Sequence, residues 1–283
     1  MRKPFSCALV VSLLIVVTVA ANAPTVKFKF KDFQFPGAEI TTVYGVNNAG
    51  VLVGQYFKPK GPNHGFKFDH GKALTIDHPN GTDTVCSAIN SKGEIVGWYT
   101  ASSGNNHGFL YKNGKFKEIA PAALSDASGI NDNGDIVGSE TDCDFCQQHA
   151  FLWNGHKFKQ IDVPEAQYTG ARGLNNKREI SIIAPDNNNH FHSYIYRSGH
   201  FEEVSVPGAS DTFIQGINNV GDVLFGWDDS QQNNHGALRH GGHFYEFDRK
   251  KNANTLPFSL NDTQLVVGYY YGIAGSGSFK ASY

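Results

Sequence analysis

Gly129-Ile130-Asn131-Asp132-Asn133-Gly134-Asp135-Ile136-Val137-Gly138 decides the fold, because its opening pattern occurs in five other places. A small residue, an aliphatic residue and an asparagine recur as Gly45-Val46-Asn47, Ala88-Ile89-Asn90, Gly173-Leu174-Asn175, Gly216-Ile217-Asn218 and Ser259-Leu260-Asn261. Successive asparagines are spaced 43, 41, 44, 43 and 43 residues apart. The asparagine can bond backbone two residues on, and the glycine after it accepts the positive φ of a hairpin turn. The small residue suits a strand crowded against its neighbours around an axis.

Each unit outlines four short strands. In the second they are Val85–Ile89, Glu94–Tyr99, a run opening at His107 and Lys115–Ile119, separated by turns or polar loops. Four strands in about 43 residues match one propeller blade and leave no room for helical periodicity. The sixth unit ends at Tyr283, after its third strand. Val26 to Phe35, followed by Pro36-Gly37-Ala38, resembles a fourth strand and its exit, as in Phe201 to Val206 before Pro207-Gly208-Ala209. The expected fold is therefore an all-β, six-bladed β-propeller closed by its N-terminal strand, which also removes exposed sheet edges.

The pattern Gly-Ile-Asn-x-x-Gly-x-Ile-Val-Gly followed by His-Ala/Gly-Phe resembles the HAF-type extracellular repeat proteins of bacteria. His149-Ala150-Phe151 carries the tripeptide literally. The resemblance covers all six units and implies an exported bacterial repeat protein, without implying an activity. Blade four departs at Arg178, in place of the turn glycine, and at Ile182, in place of the strand glycine. Blade six departs at Gln264 in the turn and at Gly277, where the histidine belongs.

The N-terminus predicts export. Arg2 and Lys3 precede an apolar run from Ala8 to Val19, then small residues through Ala23. Residues 1–21 read as a signal peptide and 24–283 as a single six-repeat domain, with no membrane span after cleavage. The expected location is secreted or periplasmic. There Cys143 and Cys146 could form a local disulfide, since they lack the partner ligands of a metal site and the βαβ context of a redox motif. Cys86 reads as a buried thiol. A net charge of −2 offers no basic face for nucleic acid.

In an up-and-down blade, the loops between strands two and three share a face with those joining blades. These loops vary in chemistry, as Lys58–Pro62, Glu140–Asp144 and Asp228–Gln232 illustrate, and function is usually grafted onto such loops. Just before the small residue of each first strand come Tyr44, Ser87, Ser128, Arg172, Gln215 and Phe258. They should sit near the axis at that face. Tyr44, Ser87, Arg172 and Gln215 are the candidate ligand-binding residues, able to offer stacking, a hydroxyl, a charged fork and an amide.

Repetition argues against other candidates, since catalysis needs unlike groups in unlike roles. Thr41, Thr84, Ser125, Thr169, Thr212 and Thr255 read as repeated turn bonds. His64, His107, His149, His192 and His235 lie too far from the axis to share one ion and are expected to bond a neighbouring loop. Asn131 to Asp135 lacks the remaining ligands of a calcium loop. No motif asks for a metal or cofactor. Asp83, Asp126, Asp142, Asp144, Asp186, Asp211, Asp228 and Asp229 fall on the variable face, but sequence sets no separation between any two.

The expected function is binding of a polar extracellular ligand, carbohydrate or a protein partner, by a monomer. The alternatives are a polysaccharide hydrolase or lyase built on a propeller, and an envelope structural or interaction protein. Enzyme activity stays open, with the weight against it.

Overall fold

The computed structural model describes residues 26–119, 122, 124–141, 143, 147–250, 253–272 and 275–283. They form six four-stranded antiparallel sheets arranged as a β-propeller. Blade one uses Ile40–Val46, Leu52–Phe57, His64–Asp69 and Lys72–Ile76, and the next four follow the same plan. Blade six supplies Ala253–Leu260, Leu265–Gly272 and Gly277–Ser282. Its fourth strand is Lys29–Phe33, running antiparallel to the third with Lys29 opposite Ser282 and Phe33 opposite Ser278. The N-terminal strand thus completes the last blade.

Burial follows from position within the blade. Second strands are sandwiched between neighbouring blades, and Ile180–Pro185 is buried at every residue. Fourth strands form the rim, where Lys72–Ile76 is exposed except at Ile76. Apolar residues gather into six clusters, one at each junction between blades. The cluster joining the last blade to the first holds Val267 with Phe35, Val43, Val46, Leu52, Tyr56 and Phe66. Phe66, Phe109, Phe151 and Phe279, two or three residues after the start of their third strands, are fully buried. Burying each such ring stabilises by roughly 2–3 kcal/mol.

The repeated asparagine does more than shape its own turn. Its Oδ1 accepts backbone N–H groups two and four residues on, as at Ala49 and Val51 from Asn47. Its Nδ2 donates to the carbonyl of the next blade's asparagine. These bonds run Asn47 to Asn90, to Asn131, to Asn175, to Asn218, to Asn261 and back to Asn47, at 2.9–3.1 Å. The six amides close a ring around the axis.

At the turn position usually held by glycine, Arg178 and Gln264 take left-handed φ values of 61° and 63°. Arg178 offsets that strain with a two-pronged bond to Asp135 of the preceding blade, both contacts at 2.8 Å. This fork, with Asn131 Nδ2 on the same carboxylate, fills the region that resembled a calcium loop.

Candidate functional site

Every first strand carries a β-bulge at one shared position, and that of blade two has a further irregularity between Gly81 and Asp83. Pairing with the second strand skips between Val43 and Gly45, Cys86 and Ala88, Ala127 and Gly129, Ala171 and Gly173, Ile214 and Gly216, and Pro257 and Ser259. The unpaired residues are Tyr44, Ser87, Ser128, Arg172, Gln215 and Phe258. A bulge re-aims the side chain it carries. The following small residue lets the strands crowd together, since a Cβ on Gly129 would come within 2.9 Å of the Gly173 backbone.

The six bulge residues meet in one axial cavity of about 310 Å3, which Val85, Trp98 and Asp126 also line. Below it the passage narrows to about 100 Å3 at a collar of Val46, Ile89, Ile130, Leu174, Ile217 and Leu260. The asparagine ring faces a smaller cavity of about 80 Å3 at the opposite end. The wide end therefore opens on the side of the variable loops.

Within the cavity the polar groups divide into tethered and free. Ser128 Oγ donates to the Ala171 carbonyl of the next blade at 2.6 Å, which gives it a structural role. Tyr44 stands against Phe258 with ring centroids 5.0 Å apart, and its hydroxyl accepts from Gln55 Nε2 at 3.1 Å. Burial pushes that hydroxyl's pKa up. Arg172 is exposed to the cavity. Among the described residues Arg172, Ser87 and Gln215 make no side-chain hydrogen bond or ion pair.

Asp126 Oδ1 accepts the Ser139 N–H at 3.0 Å, while Oδ2 has no partner among the described residues. Desolvation raises its pKa, and the Ser139 N–H and the Arg172 charge pull the other way. Trp98 and Val85 are lining residues that the sequence reading missed. The position after the second-strand glycine varies between blades, as Gln55, Trp98, Ser139 and Tyr269 show, and that variety was the available signal.

The repeated hydroxyls are turn bonds. Thr41, Thr84, Thr169, Thr212 and Thr255 each accept the backbone N–H six residues upstream. Ser125 instead donates to the Ile119 carbonyl six residues upstream. The repeated histidines reach a carboxylate at or just past the end of their own blade's fourth strand, and His192 and His235 also approach Asp186 and Asp229 of the preceding loop, at 3.7 and 3.4 Å. His64 meets Asp77, His107 Glu118, His149 Asp162, His192 Glu203 and His235 Asp248, at 2.7–3.0 Å. That placement is set by the hairpin, which returns the fourth strand beside the start of the third. Among the described residues no group of three or more His, Cys, Asp or Glu is arranged to hold a metal. Cys86 is buried and free. The expected bridge from Cys143 involves Cys146, which lies outside the described residues, as do Asp142, Asp144 and the signal segment 1–21. Among the described residues no helix is long and apolar enough to cross a membrane.

No family model and no curated protein matches the chain. Solved structures do. TolB from Acinetobacter baumannii is 10% identical, over 87% of this chain and 64% of that one, with a TM-score of 0.54. The β-propeller domain of the trilobed protease from Pyrococcus furiosus, described as having an open velcro topology, is 12% identical over 86% and 95% of the two chains, with a TM-score of 0.50. The lectin of Aleuria aurantia, a six-bladed β-propeller with a novel fucose recognition mode, is 10% identical over 85% and 89%, with a TM-score of 0.50. At these identities the likeness establishes the fold alone: this chain is similar to β-propellers, a six-bladed lectin among them.

Proposed function

We propose that the chain is an exported, monomeric carbohydrate-binding propeller whose site is the axial cavity on the variable-loop face. One observation carries this reading. Six bulges deliver side chains of unlike chemistry into one cavity, where Arg172, Gln215 and Ser87 make no side-chain hydrogen bond among the described residues, beside the Tyr44–Phe258 pair and Trp98. Aromatic faces stack on sugar rings, and free forks, amides and hydroxyls take up sugar hydroxyls. A concave, partly apolar cavity with a few convergent polar groups is the usual form of a small-ligand site. The fold is also one in which a fucose-recognising lectin is built. Export to a secreted or periplasmic location rests on the N-terminal segment and on the HAF-type resemblance.

A hydrolase would need a second carboxylate across the cavity. Among the described residues that line it Asp126 is the one carboxylate, an arrangement that fits binding better than acid–base cleavage at this mouth. The test is a screen of the mature protein against plant and bacterial polysaccharides, with Arg172→Ala alongside. Losing charge-assisted hydrogen bonds worth about 1.5–3 kcal/mol should weaken binding by roughly ten- to a hundredfold, with the melt unchanged. Binding unaffected by the substitution would move the site elsewhere, and no binding to any glycan would refute the reading.

A further inference from the structure

Asp126 lines a second cavity besides the axial one. This groove, of about 290 Å3, lies between blades two and three and is bounded by Asn106, Leu124, Ser125, Ser139, Glu140, Thr141 and Gln148. Asp126 is thus the residue that borders both the axial cavity, of about 310 Å3, and the groove. The position of Asp126 on its strand is occupied in the other blades by Thr42, Val85, Gly170, Phe213 and Leu256. The junction is therefore a departure from the repeat.

The charges along this path are ordered. At the axial end stands the Arg172 guanidinium with no ion partner among the described residues, in a cavity walled by Tyr44, Phe258 and Trp98. A planar guanidinium in a partly desolvated place pairs best with a carboxylate, which it can grip with two parallel hydrogen bonds. At the junction stands Asp126, whose carboxylate repels a second one, and beyond it stand the amides of Asn106 and Gln148 and the Thr141 hydroxyl. Asp126 Oδ2, without a partner among the described residues, can accept from a sugar hydroxyl.

We infer that the ligand is a glycan chain in which an acidic sugar alternates with a neutral one, its carboxylate on Arg172 and the adjoining neutral sugar crossing Asp126 into the groove between blades two and three. This rests on the carbohydrate reading above and specifies the ligand's charge pattern and the direction in which the chain leaves the axis. A single sugar would use only the axial end. A chain acidic at every unit would set a carboxylate against Asp126, and a neutral chain would forgo the two-pronged bond that Arg172 can make.

Calorimetry on the mature protein tests it with four probes: glucuronic acid, an alternating glucuronate–N-acetylglucosamine tetrasaccharide, cellotetraose and tetragalacturonate. The alternating tetrasaccharide should bind about tenfold or more tightly than each of the others. Arg172→Gln should remove its advantage over cellotetraose. Leu124→Trp, which fills the groove, should bring the tetrasaccharide down to the affinity of glucuronic acid, and Thr141→Trp should do the same should the first variant melt early. Equal binding of the tetrasaccharide and glucuronic acid, with both groove variants silent, would overturn the extended site while leaving the axial one standing. Equal binding of the three tetrasaccharides would overturn the charge pattern. Failure of all four probes to bind would overturn this inference, and the broader carbohydrate reading would then stand or fall on the polysaccharide screen.

Discussion

Replacing Asn261 with alanine measures whether the ring is closed. Asn261 is 4% exposed and makes three side-chain hydrogen bonds. Oδ1 accepts from Thr263 and Leu265 N–H at 3.0 and 2.9 Å, and Nδ2 donates to the Asn47 carbonyl at 2.9 Å. Asn47 makes the same set, with two local acceptances at 3.1 Å and a donation to the Asn90 carbonyl at 3.1 Å. Its interblade bond joins consecutive blades, whereas that of Asn261 joins the last blade to the first. Each bond contributes about 1 kcal/mol net, so either alanine variant should lose about 3 kcal/mol. For a domain of this size that is a fall in Tm of roughly 6–10 °C. Thermal unfolding followed by circular dichroism, with Asn47→Ala and Asn261→Ala side by side, reads the comparison directly. A closed ring makes the two falls equal. Were the seam open, Asn261 would have only its two local bonds to lose, and its variant would melt about 2–4 °C above Asn47→Ala. That inequality would refute closure through the amides. Asn261→Asp refines the test, because it keeps the local acceptor and turns an oxygen toward the Asn47 carbonyl.

Three further outcomes follow from the same geometry. Deleting Val26 to Phe35 removes the fourth strand of blade six and Phe35, which is 5% exposed and stacks on Tyr56 at 4.4 Å. The loss of Phe35 alone is of the order of 3–5 kcal/mol, so the melt should drop by more than about 10 °C, and an unchanged melt would sink the velcro-like closure. Asp126→Asn should stabilise the protein at neutral pH while weakening ligand binding. Desolvation raises the Asp126 pKa in the folded state, so the folded protein loses stability as pH rises through that value; denaturation from pH 3 to 7 should show the variant's advantage growing with pH and vanishing below the ordinary carboxylate value near 3.9. Cys86, whose thiol is fully buried and whose pKa burial raises far above the ordinary range, should resist alkylation until the protein unfolds. Rapid labelling of Cys86 under native conditions would show that the junction between blades one and two opens.

What the sequence made legible and what it hid divide along a physical line. Asparagines about 43 residues apart betray a repeat because turn chemistry is local: Asn47 needs only Gly50 and the backbone between them to declare a hairpin. The orphaned strand at Lys29–Phe33 was equally readable, since a blade lacking its fourth strand and a strand lacking a blade complete each other. The second use of the same amide was not readable. Nothing in Gly-Ile-Asn distinguishes a side chain that serves its own turn from one that also reaches the Asn90 carbonyl of the next blade. The site shows the same division. The varied position before each small residue located Tyr44, Ser87, Arg172 and Gln215, but not the bulge that turns them inward, because a register shift is a count of backbone bonds across two strands. Trp98 sits where a strand's apolar alternation already accounts for an aromatic, so its second role was masked by its first. Asp126 is the converse case. A carboxylate where the other blades carry threonine, valine, glycine, phenylalanine or leucine breaks the repeat at a desolvated position. Desolvation there works against the charged carboxylate, and its place on the border of both the axial cavity and the groove is the feature that sets it apart from its counterparts.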